Sequence, residues 1–397
     1  MSVELPAGQP PVRVAFYNDP KIRSVIYQVA LCAIIGFLFY SAASNAITNL
    51  ARAKIASGFG FWYNTAGFDI SQTLIQYSAQ ASTYGRVFWV GLLNTLLVAG
   101  LGIVIATILG FVIGIARLSK NWLVSKAATG YVETIRNIPL LLQLLFWYNA
   151  VLKALPELRD SIKIPGGIFL NNRGLFVPEP LFAPQFKWVM FAIIFGILAS
   201  IAFYIWARKR QEQTGQQAPV FKVTAGLIIG LPLVVLALTG FPLSFGFPIG
   251  GRFNITGGIE ILPEFAALLF GLSIYTAAFI AEVVRAGILA VSRGQSEAAA
   301  SLGLKPGSSL RLVVVPQAMR VIIPPLTSQY LNLTKNSSLA VAIGYPDLVQ
   351  VFTGTVLNQT GQAVEVVAIT MAVYLTISLT TSLLMNFYNS RIALVER

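Results

Sequence analysis

Eight runs of apolar residues dominate this chain, with limits near 24–46, 88–116, 128–151, 187–207, 222–241, 263–284, 320–343 and 364–388. Each comes close to the roughly 20 residues a helix needs to cross a bilayer. Backbone at membrane depth must find its hydrogen bonds within the protein, so runs of this kind read as transmembrane helices. The expected fold class is an all-α polytopic membrane protein with about eight transmembrane helices. Only 11% of the residues are charged, against roughly 25% in soluble domains, which agrees with that class. The net charge of +13 would suggest nucleic acid in a soluble protein. Here the positive residues cluster at the ends of apolar runs, so topology and anionic membrane lipid account for them, and no nucleic-acid partner is expected.

Lys and Arg also orient the chain. With the N-terminus inside, the cytoplasmic segments hold about twice as many of them as the outer segments. The Arg208-Lys209-Arg210 cluster is the strongest single marker. Both termini are then cytoplasmic, and so is the segment 285–319. No cleavable signal is evident, because the first apolar run starts only after Arg23. The outer aromatic cluster Phe59, Phe61, Trp62 and Tyr63 is expected at the headgroup level. The Gly- and Pro-rich stretches 151–186 and 242–262 read as outer loops.

Several chemistries are excluded by composition. Histidine is absent, and the one cysteine, Cys32, lies inside an apolar run. A Cys/His metal site, an internal disulfide and a His-activated nucleophile are therefore impossible. No glycine is followed by Lys-Ser or Lys-Thr, so no phosphate-cradling P-loop exists. If ATP drives this protein, another chain must hold it.

Polar residues inside the spans form a few constellations. Gly102, Ala106, Gly110 and Gly114 recur every four residues of the second span and put a smooth stripe on one helix face. The third span carries Glu133 and Arg136 three apart, where they can pair, followed by Pro139, which kinks the helix or frees a carbonyl. The pair reads either as a hinge or gate near the cytoplasmic face or as a static pair that orients the helix. The sixth span ends in Glu282 and Arg285, again three apart, with Tyr275 and Thr276 higher up at a depth where polar groups could face a substrate path. The seventh span contains Pro324-Pro325 and is expected to break there. Lys335 follows, surrounded by Asn332, Asn336, Ser337 and Ser338. A charged residue near that depth needs water or a partner such as Asp347 or Glu365, unless it snorkels.

Between the sixth and seventh spans lies QSEAAASLGLKPGSSLRLVVVPQ, residues 295–317. Ser296 is expected to cap a short helix, with Glu297 at its positive end and Ala298, Ala299 and Ala300 as strong helix formers. Gly303 can take the left-handed conformation that ends a helix, and Pro306 forbids its continuation.

This loop resembles the cytoplasmic EAA loop of permease subunits of ABC importers, matched at Glu297, Ala298, Ala299 and Gly303. The third span is similar to polar amino-acid permeases of that superfamily at Tyr131, Val132, Glu133, Arg136, Pro139, Leu140 and Gln143, the sixth at Tyr275, Glu282, Arg285 and Gly287, and the seventh at Pro316-Gln317-Ala318 and Lys335 to Leu339. Asn137-Ile138 stands where the family more often has Gly-Thr. Asn336 and Ser337 stand where it has Asp and Thr. The long form of the chain is most like the larger permease of general L-amino-acid ABC importers.

The resemblance implies a type I ABC importer core of five helices, in 88–151 and 263–397, with a cytoplasmic coupling helix in the loop 285–319. It implies a cytoplasmic tail 1–23, an extra N-terminal transmembrane helix and periplasmic loop in 24–87, and inserted periplasmic loops with two extra helices in 152–262. It further implies a bacterial inner-membrane location. The partners would be an ABC ATPase subunit that holds ATP and Mg, a second permease subunit in a heterodimer, and a periplasmic amino-acid-binding protein. No cofactor would sit on this chain, which would be a transport subunit rather than an enzyme. The ATPase-coupling residues would be Glu297, Ala298, Ala299 and Gly303. The candidate gate or path residues are Glu133, Arg136, Gln143, Tyr275, Glu282, Lys335, Asn336 and Ser337. The main rival is an ion-coupled secondary amino-acid transporter, against which the lack of internal repeats counts. A membrane enzyme lacks clustered acids or nucleophiles, and a pure scaffold leaves the polar seventh span unexplained.

Overall fold

The computed structural model describes residues 20–52, 57–251 and 254–392. Residues 1–19, and with them most of the expected tail 1–23, lie outside the described residues. Along the chain come helices α1 (Pro20–Arg52), α2 (Tyr84–Ala116), α3 (Trp122–Asn137) and α4 (Leu140–Leu145), the last running into a π-helical turn, Phe146–Leu152. Then follow strands β1 (Ile162–Ile164), β2 (Ile168–Asn171), β3 (Gly174–Val177) and β4 (Glu179–Phe182), and helices α5 (Phe186–Thr214), α6 (Val220–Ala225) and α7 (Leu231–Leu238). Strands β5 (Leu243–Gly246), β6 (Ile249–Gly250), β7 (Ile255–Thr256) and β8 (Ile259–Ile261) precede α8 (Pro263–Leu289). The chain continues through α9 (Arg293–Ser301), α10 (Pro306–Ser309), α11 (Val315–Asn336), α12 (Leu357–Thr360) and α13 (Ala363–Ile392). Among the described residues seven helices are long and apolar enough to cross a membrane, and the bent pair α3 and α4 makes eight. The protein is an all-α polytopic membrane protein.

The stripe on α2 determines how the bundle packs. Gly102 faces Leu333 of α11, Gly110 faces Ile280 of α8, and Gly114 faces Ala281 and Val284 of α8. A methyl group on Gly114 would lie 2.7 Å from the Ala281 carbonyl oxygen, a backbone atom that cannot swing aside. At Gly102 the nearest atom is the flexible Leu333 Cδ2, 3.3 Å away. Overpacking a close interface costs about 1–3 kcal/mol. Gly114→Ala is thus expected to lower the thermal unfolding midpoint in detergent, and Gly102→Ala to leave it nearly unchanged.

Around this contact α2, α4, α8 and α11 share one apolar core that includes Val98, Leu144, Leu272, Ile280 and Ile322. A second core joins the start of α2 to the π-helical turn Val349–Val356 and to Val366 of α13. Phe61 is buried in it, and Trp62 packs against it, with Phe88 and Phe352 around them. Only Phe59 and Tyr63 of the aromatic cluster are exposed, so the expectation of a whole cluster at headgroup level does not fit Phe61 and Trp62. Phe61 and Trp62 instead cap the bundle, because the segment 57–83 folds back over the start of α2. By contrast, no residue of the α1 window 22–46 is buried. Its apolar surface is what a helix in contact with lipid requires.

Two expectations are corrected. The doubled proline does not break the seventh span: α11 runs through Pro324 and Pro325. Ile322, Ile323 and Leu326 around them are buried, and this packing holds the helix despite the two missing donors. The irregular backbone falls at the ends instead, as a π-helical turn at Leu310–Val314 and a 3-10 turn at Ser337–Ala342. The Gly- and Pro-rich stretches, in turn, are more than loops. They meet in a four-stranded antiparallel sheet of order β1-β2-β3-β8, with two further ribbons, β4-β5 and β6-β7. The sheet joins the segment before α5 to the segment before α8.

Candidate functional site

The stripe on α2 ends at Gly114, and Arg117 follows three residues later on the same face, as the residue that closes the helix. Because Gly114 touches Ala281 and Val284, Arg117 arrives at Glu282. Its side chain is only 8% exposed. Glu282 is the centre of a cluster: the Arg117 guanidinium donates to its Oε2, the Arg285 guanidinium donates to its Oε1 at 2.6 Å, and Arg136 stands 4.0 Å away. Glu133 joins through Arg117 at 3.8 Å. Three arginines and two glutamates from α2, α3 and α8 thus meet at the end of the bundle that carries α9.

The Glu282–Arg285 pair forms within α8. The Glu133–Arg136 pair does not. Arg136 turns from Glu133 to lie over the Phe279 ring, 5.0 Å from its centroid, where the ring face and Glu282 both attract it. Tyr275 stacks on Phe279 at 4.9 Å, which places it one turn further along the same column. Sequence reasoning gave Glu133–Arg136 and Glu282–Arg285 as two separate pairs on different spans; it did not bring them together and did not single out Arg117. The signal that could have found it was its place three residues beyond Gly114, which keeps it on the face of the stripe.

Gln143 stands apart from this cluster. At Ile138-Pro139 the span bends by 105° between α3 and α4. The bend frees carbonyls, and the Gln143 side chain donates to those of Ile135 and Ile138, both at 2.9 Å. Its Oε1 is buried and, among the described residues, without a partner. Tyr131 fastens α3 to α8 nearby through a hydrogen bond from its hydroxyl to the Ile274 carbonyl. Leaving a buried carbonyl unsatisfied costs about 1–3 kcal/mol. Gln143→Leu is therefore expected to destabilise the protein by at least that much, read as a lower unfolding midpoint, whereas Leu142→Ala at an exposed position leaves it nearly unchanged.

Lys335, Asn336 and Ser337 form a third group at the far end of α11. Lys335 is exposed and makes no ion pair among the described residues, so neither Asp347 nor Glu365 is its partner. Ser337 is buried, and its hydroxyl donates to the Thr334 carbonyl. Glu365 instead accepts from the Gly58 backbone at 2.5 Å.

The loop helix α9 projects beyond the spans at the Arg117 end. It begins at Arg293, after Ser292, and not at Ser296. The Gln295 amide already closes a turn on the Ser292 carbonyl, so Glu297 lies in the second turn, away from the positive end. Ala299 is buried, while Glu297, Ala298 and Ala300 are exposed. At the other end Gly303 has φ +75°. Its amide donates to Ala300 and that of Leu304 to Ala299, the paired bonds of a left-handed helix stop. Pro306 then starts α10, so it opens a new helix as well as ending the old one. A hydrogen bond from the Gln317 side chain to that of Gln295, 3.1 Å long, ties α9 to α11.

The chain is similar to known proteins along nearly its whole length. It is 55% identical to the general L-amino acid transport system permease protein AapQ of Rhizobium johnstonii, over 97% of this chain and 96% of that protein. It is 54% identical to the putative amino-acid ABC transporter permease protein YhdX of Escherichia coli, over 96% of this chain and 97% of the other. The glutamate/glutamine/aspartate/asparagine transport system permease protein BztB of Rhodobacter capsulatus is 42% identical over 96% of each. Residues 219–394 match the family described as binding-protein-dependent transport system inner membrane component. With these relatives and this bundle of apolar helices, the chain belongs to that family and is a multi-pass inner-membrane protein.

Proposed function

We propose that this chain is the membrane-spanning subunit of an ATP-driven importer of L-amino acids. It works with a periplasmic amino-acid-binding protein, a second and different permease subunit, and ATPase subunits that hold ATP and Mg. Both termini and α9 face the cytoplasm; the sheet β1-β2-β3-β8 faces the periplasm. The packed helices α2, α3, α4, α8, α11 and α13 form the transport core, and α1 and the α5 to α7 segment are additions to it. α9 docks into a cleft on the ATPase through the exposed Glu297 and Ala298; Ala299, expected with them, is buried and seats the helix on this chain instead, and Gly303 sets the angle at which α9 leaves the core.

The observation that carries this reading is the geometry of α9. It is a short, smooth helix with one buried residue, held by a stop at one end and by Gln295–Gln317 at the other. A movement of α9 is passed to α11 directly, and through the α8 end to the cluster around Glu282. Glu133, Arg136, Glu282 and Tyr275 then act as the inner gate, and Gln143 holds the hinge at the α3–α4 bend. Lys335 and Asn336 line the path at the outer end, and Ser337, buried with its hydroxyl donated to the Thr334 carbonyl, supports the turn behind them. An amino-acid zwitterion needs donors for its carboxylate and acceptors for its ammonium, and these groups include both.

The test is crosslinking and uptake in proteoliposomes. Cys32 is the only cysteine, so Cys32→Ser followed by Ala298→Cys gives a single probe. The expected result is a crosslink to the ATPase subunit and amino-acid uptake that requires ATP and the binding protein. Uptake that persists with the ATPase left out would overturn the reading.

A further inference from the structure

Strands β4 and β5 pair as a two-stranded ribbon that joins the ends of two membrane-spanning elements, α5 and the segment Val220–Leu238 that ends in α7. Three residues, Ala183 to Gln185, separate β4 from α5, and four, Thr239 to Pro242, separate α7 from β5. An extended chain advances at most about 3.6 Å per residue, so Phe182 stands no more than about 15 Å from the start of α5. The link is tighter still. The Ala183 amide donates to the Pro242 carbonyl at 3.1 Å and the Phe186 amide to the Ala183 carbonyl at 2.8 Å, so the ladder runs on to the helix itself. At the start of α5 the Lys187 ammonium lies over the Trp188 ring, 5.6 Å from its centroid. Trp and Lys at a helix end mark the headgroup level.

The register pairs Pro180 with Phe245 and Phe182 with Leu243. Residues directly opposite each other share a face, and successive residues along a strand point to opposite faces. One face of the ribbon is therefore Pro180, Phe182, Leu243 and Phe245, apolar at every position. The other carries Glu179, Leu181, Ser244 and Gly246. The protein leaves the apolar face uncovered: Phe182 is 59% and Phe245 52% exposed. The Phe182 ring lies 4.4 Å from that of Phe186, the first residue of α5, which turns this face toward the helix and so toward the bilayer. Phe241, at the approach to β5, is exposed as well. Neighbouring exposed aromatics of this kind mark a surface that meets something other than water.

We propose that the ribbon β4-β5 rests in the outer leaflet of the bilayer, with the Phe182 and Phe245 rings at the boundary between headgroups and acyl chains, and anchors the sheet β1-β2-β3-β8 to the membrane surface. The depth follows from hydrogen bonding. Both outer edges of a two-stranded ribbon are unpaired, and hydrocarbon does not tolerate an open sheet edge. The rings enter the acyl region, while the backbone stays among headgroups and water. The anchor reaches the sheet at two places. Only Pro178 separates β3 from β4. Phe247, just beyond β5, packs on the turn between β1 and β2, where a methyl group on Gly167 would meet its ring at 2.6 Å. The choice of leaflet rests on the proposed orientation, with α9 in the cytoplasm; the contact with lipid rests only on these helices crossing the membrane.

The test uses the full complex in nanodiscs of phosphatidylethanolamine and phosphatidylglycerol, in a Cys32→Ser background, with a nitroxide on Phe182→Cys, Ser244→Cys or Phe245→Cys. Power-saturation electron paramagnetic resonance compares collisions with oxygen, which concentrates in lipid, and with a water-soluble nickel chelate. The oxygen-to-nickel ratio is expected to be several-fold higher at Phe182→Cys and Phe245→Cys than at Ser244→Cys on the opposite face. It should approach the ratio at Phe195→Cys, on the exposed side of α5. A ratio at both phenylalanine positions as low as at Ser244→Cys would put the ribbon in water and overturn the proposal. Shielding of both from either reagent would assign the face to a protein partner and overturn it as well. Lys163→Cys on β1 tests the leaflet separately. In right-side-out membrane vesicles an impermeant maleimide is expected to label it without permeabilisation. Labelling only after permeabilisation would overturn the proposed orientation, and with it the leaflet, while the oxygen-to-nickel ratio still decides the contact with lipid.

Discussion

Gly303→Val is expected to give a subunit that still folds and inserts but takes up almost no amino acid. Gly303 sits at φ +75°, a region that a β-branched residue resists strongly. Nothing lies within 4 Å of where its Cβ would be, so the effect is one of backbone conformation and not of collision. The strain costs about 1–3 kcal/mol. The least costly escape is to abandon the two hydrogen bonds to Ala299 and Ala300 and let α9 leave the core at another angle. The core itself would be untouched, since Gly303 is exposed and far from Leu272 and Ile280. Under the proposed function the measurements are pull-down of the ATPase by the detergent-solubilised permease and uptake in proteoliposomes. Both should fall, while the unfolding midpoint stays near wild type. Gly303→Asn is the informative control, because asparagine tolerates the left-handed region and should keep most of the uptake. Normal uptake by the valine variant would remove α9 from the coupling mechanism.

The apolar spans and the small stripe on α2 were legible from sequence because each rests on local periodicity. Lipid demands about 20 apolar residues in a row, and close helix approach demands small residues at four-residue steps. The helix stop at Gly303 was legible for the same reason. What depended on the partner across a contact was not. The Glu133–Arg136 pair has the right spacing for a helix, yet Phe279 and Glu282 on another helix compete for Arg136 and win. Pro324-Pro325 reads as a break by local rules, but burial of Ile322, Ile323 and Leu326 overrides them. The sheet linking β3 to β8 joins residues more than eighty positions apart, for which short alternating segments give no signal. Asp347 was noticed only as a possible counter-charge for Lys335, because nothing in the chain reveals that its turn is sealed by α2 and α13.

Removing the carboxylate of Glu282 is expected to be the most damaging single change near the Arg117 end. Arg117 is 8% exposed and Glu282 28% exposed, so both stand mostly out of water. Glu282→Ala would leave the guanidiniums of Arg117, Arg136 and Arg285 converging on an empty position, with only the well-exposed Glu133 nearby. Breaking a buried pair by deleting one member costs about 3–5 kcal/mol, much of it the burden of the charge left behind. The partial exposure of Glu282 places the expected loss at the lower end, about 3 kcal/mol. That origin can be tested. If the cost is the stranded charge, then Arg117→Ala in the same chain should restore part of the stability, and the double variant should melt above Glu282→Ala alone. A double-mutant cycle in detergent should return a coupling of about 1 kcal/mol or more between the two positions. Additive losses would mean that Arg117 and Glu282 act independently and that the cluster does not hold α2 to α8. The functional counterpart follows from the same geometry. With the three helices no longer held together at this end, uptake should fall by more than the loss of folded protein explains. The comparison is uptake per folded complex, wild type against Glu282→Gln, which keeps the side-chain length and one acceptor oxygen but loses the charge and the second acceptor. If uptake per folded complex is equal, the cluster is a structural clamp and the gate lies elsewhere in the path.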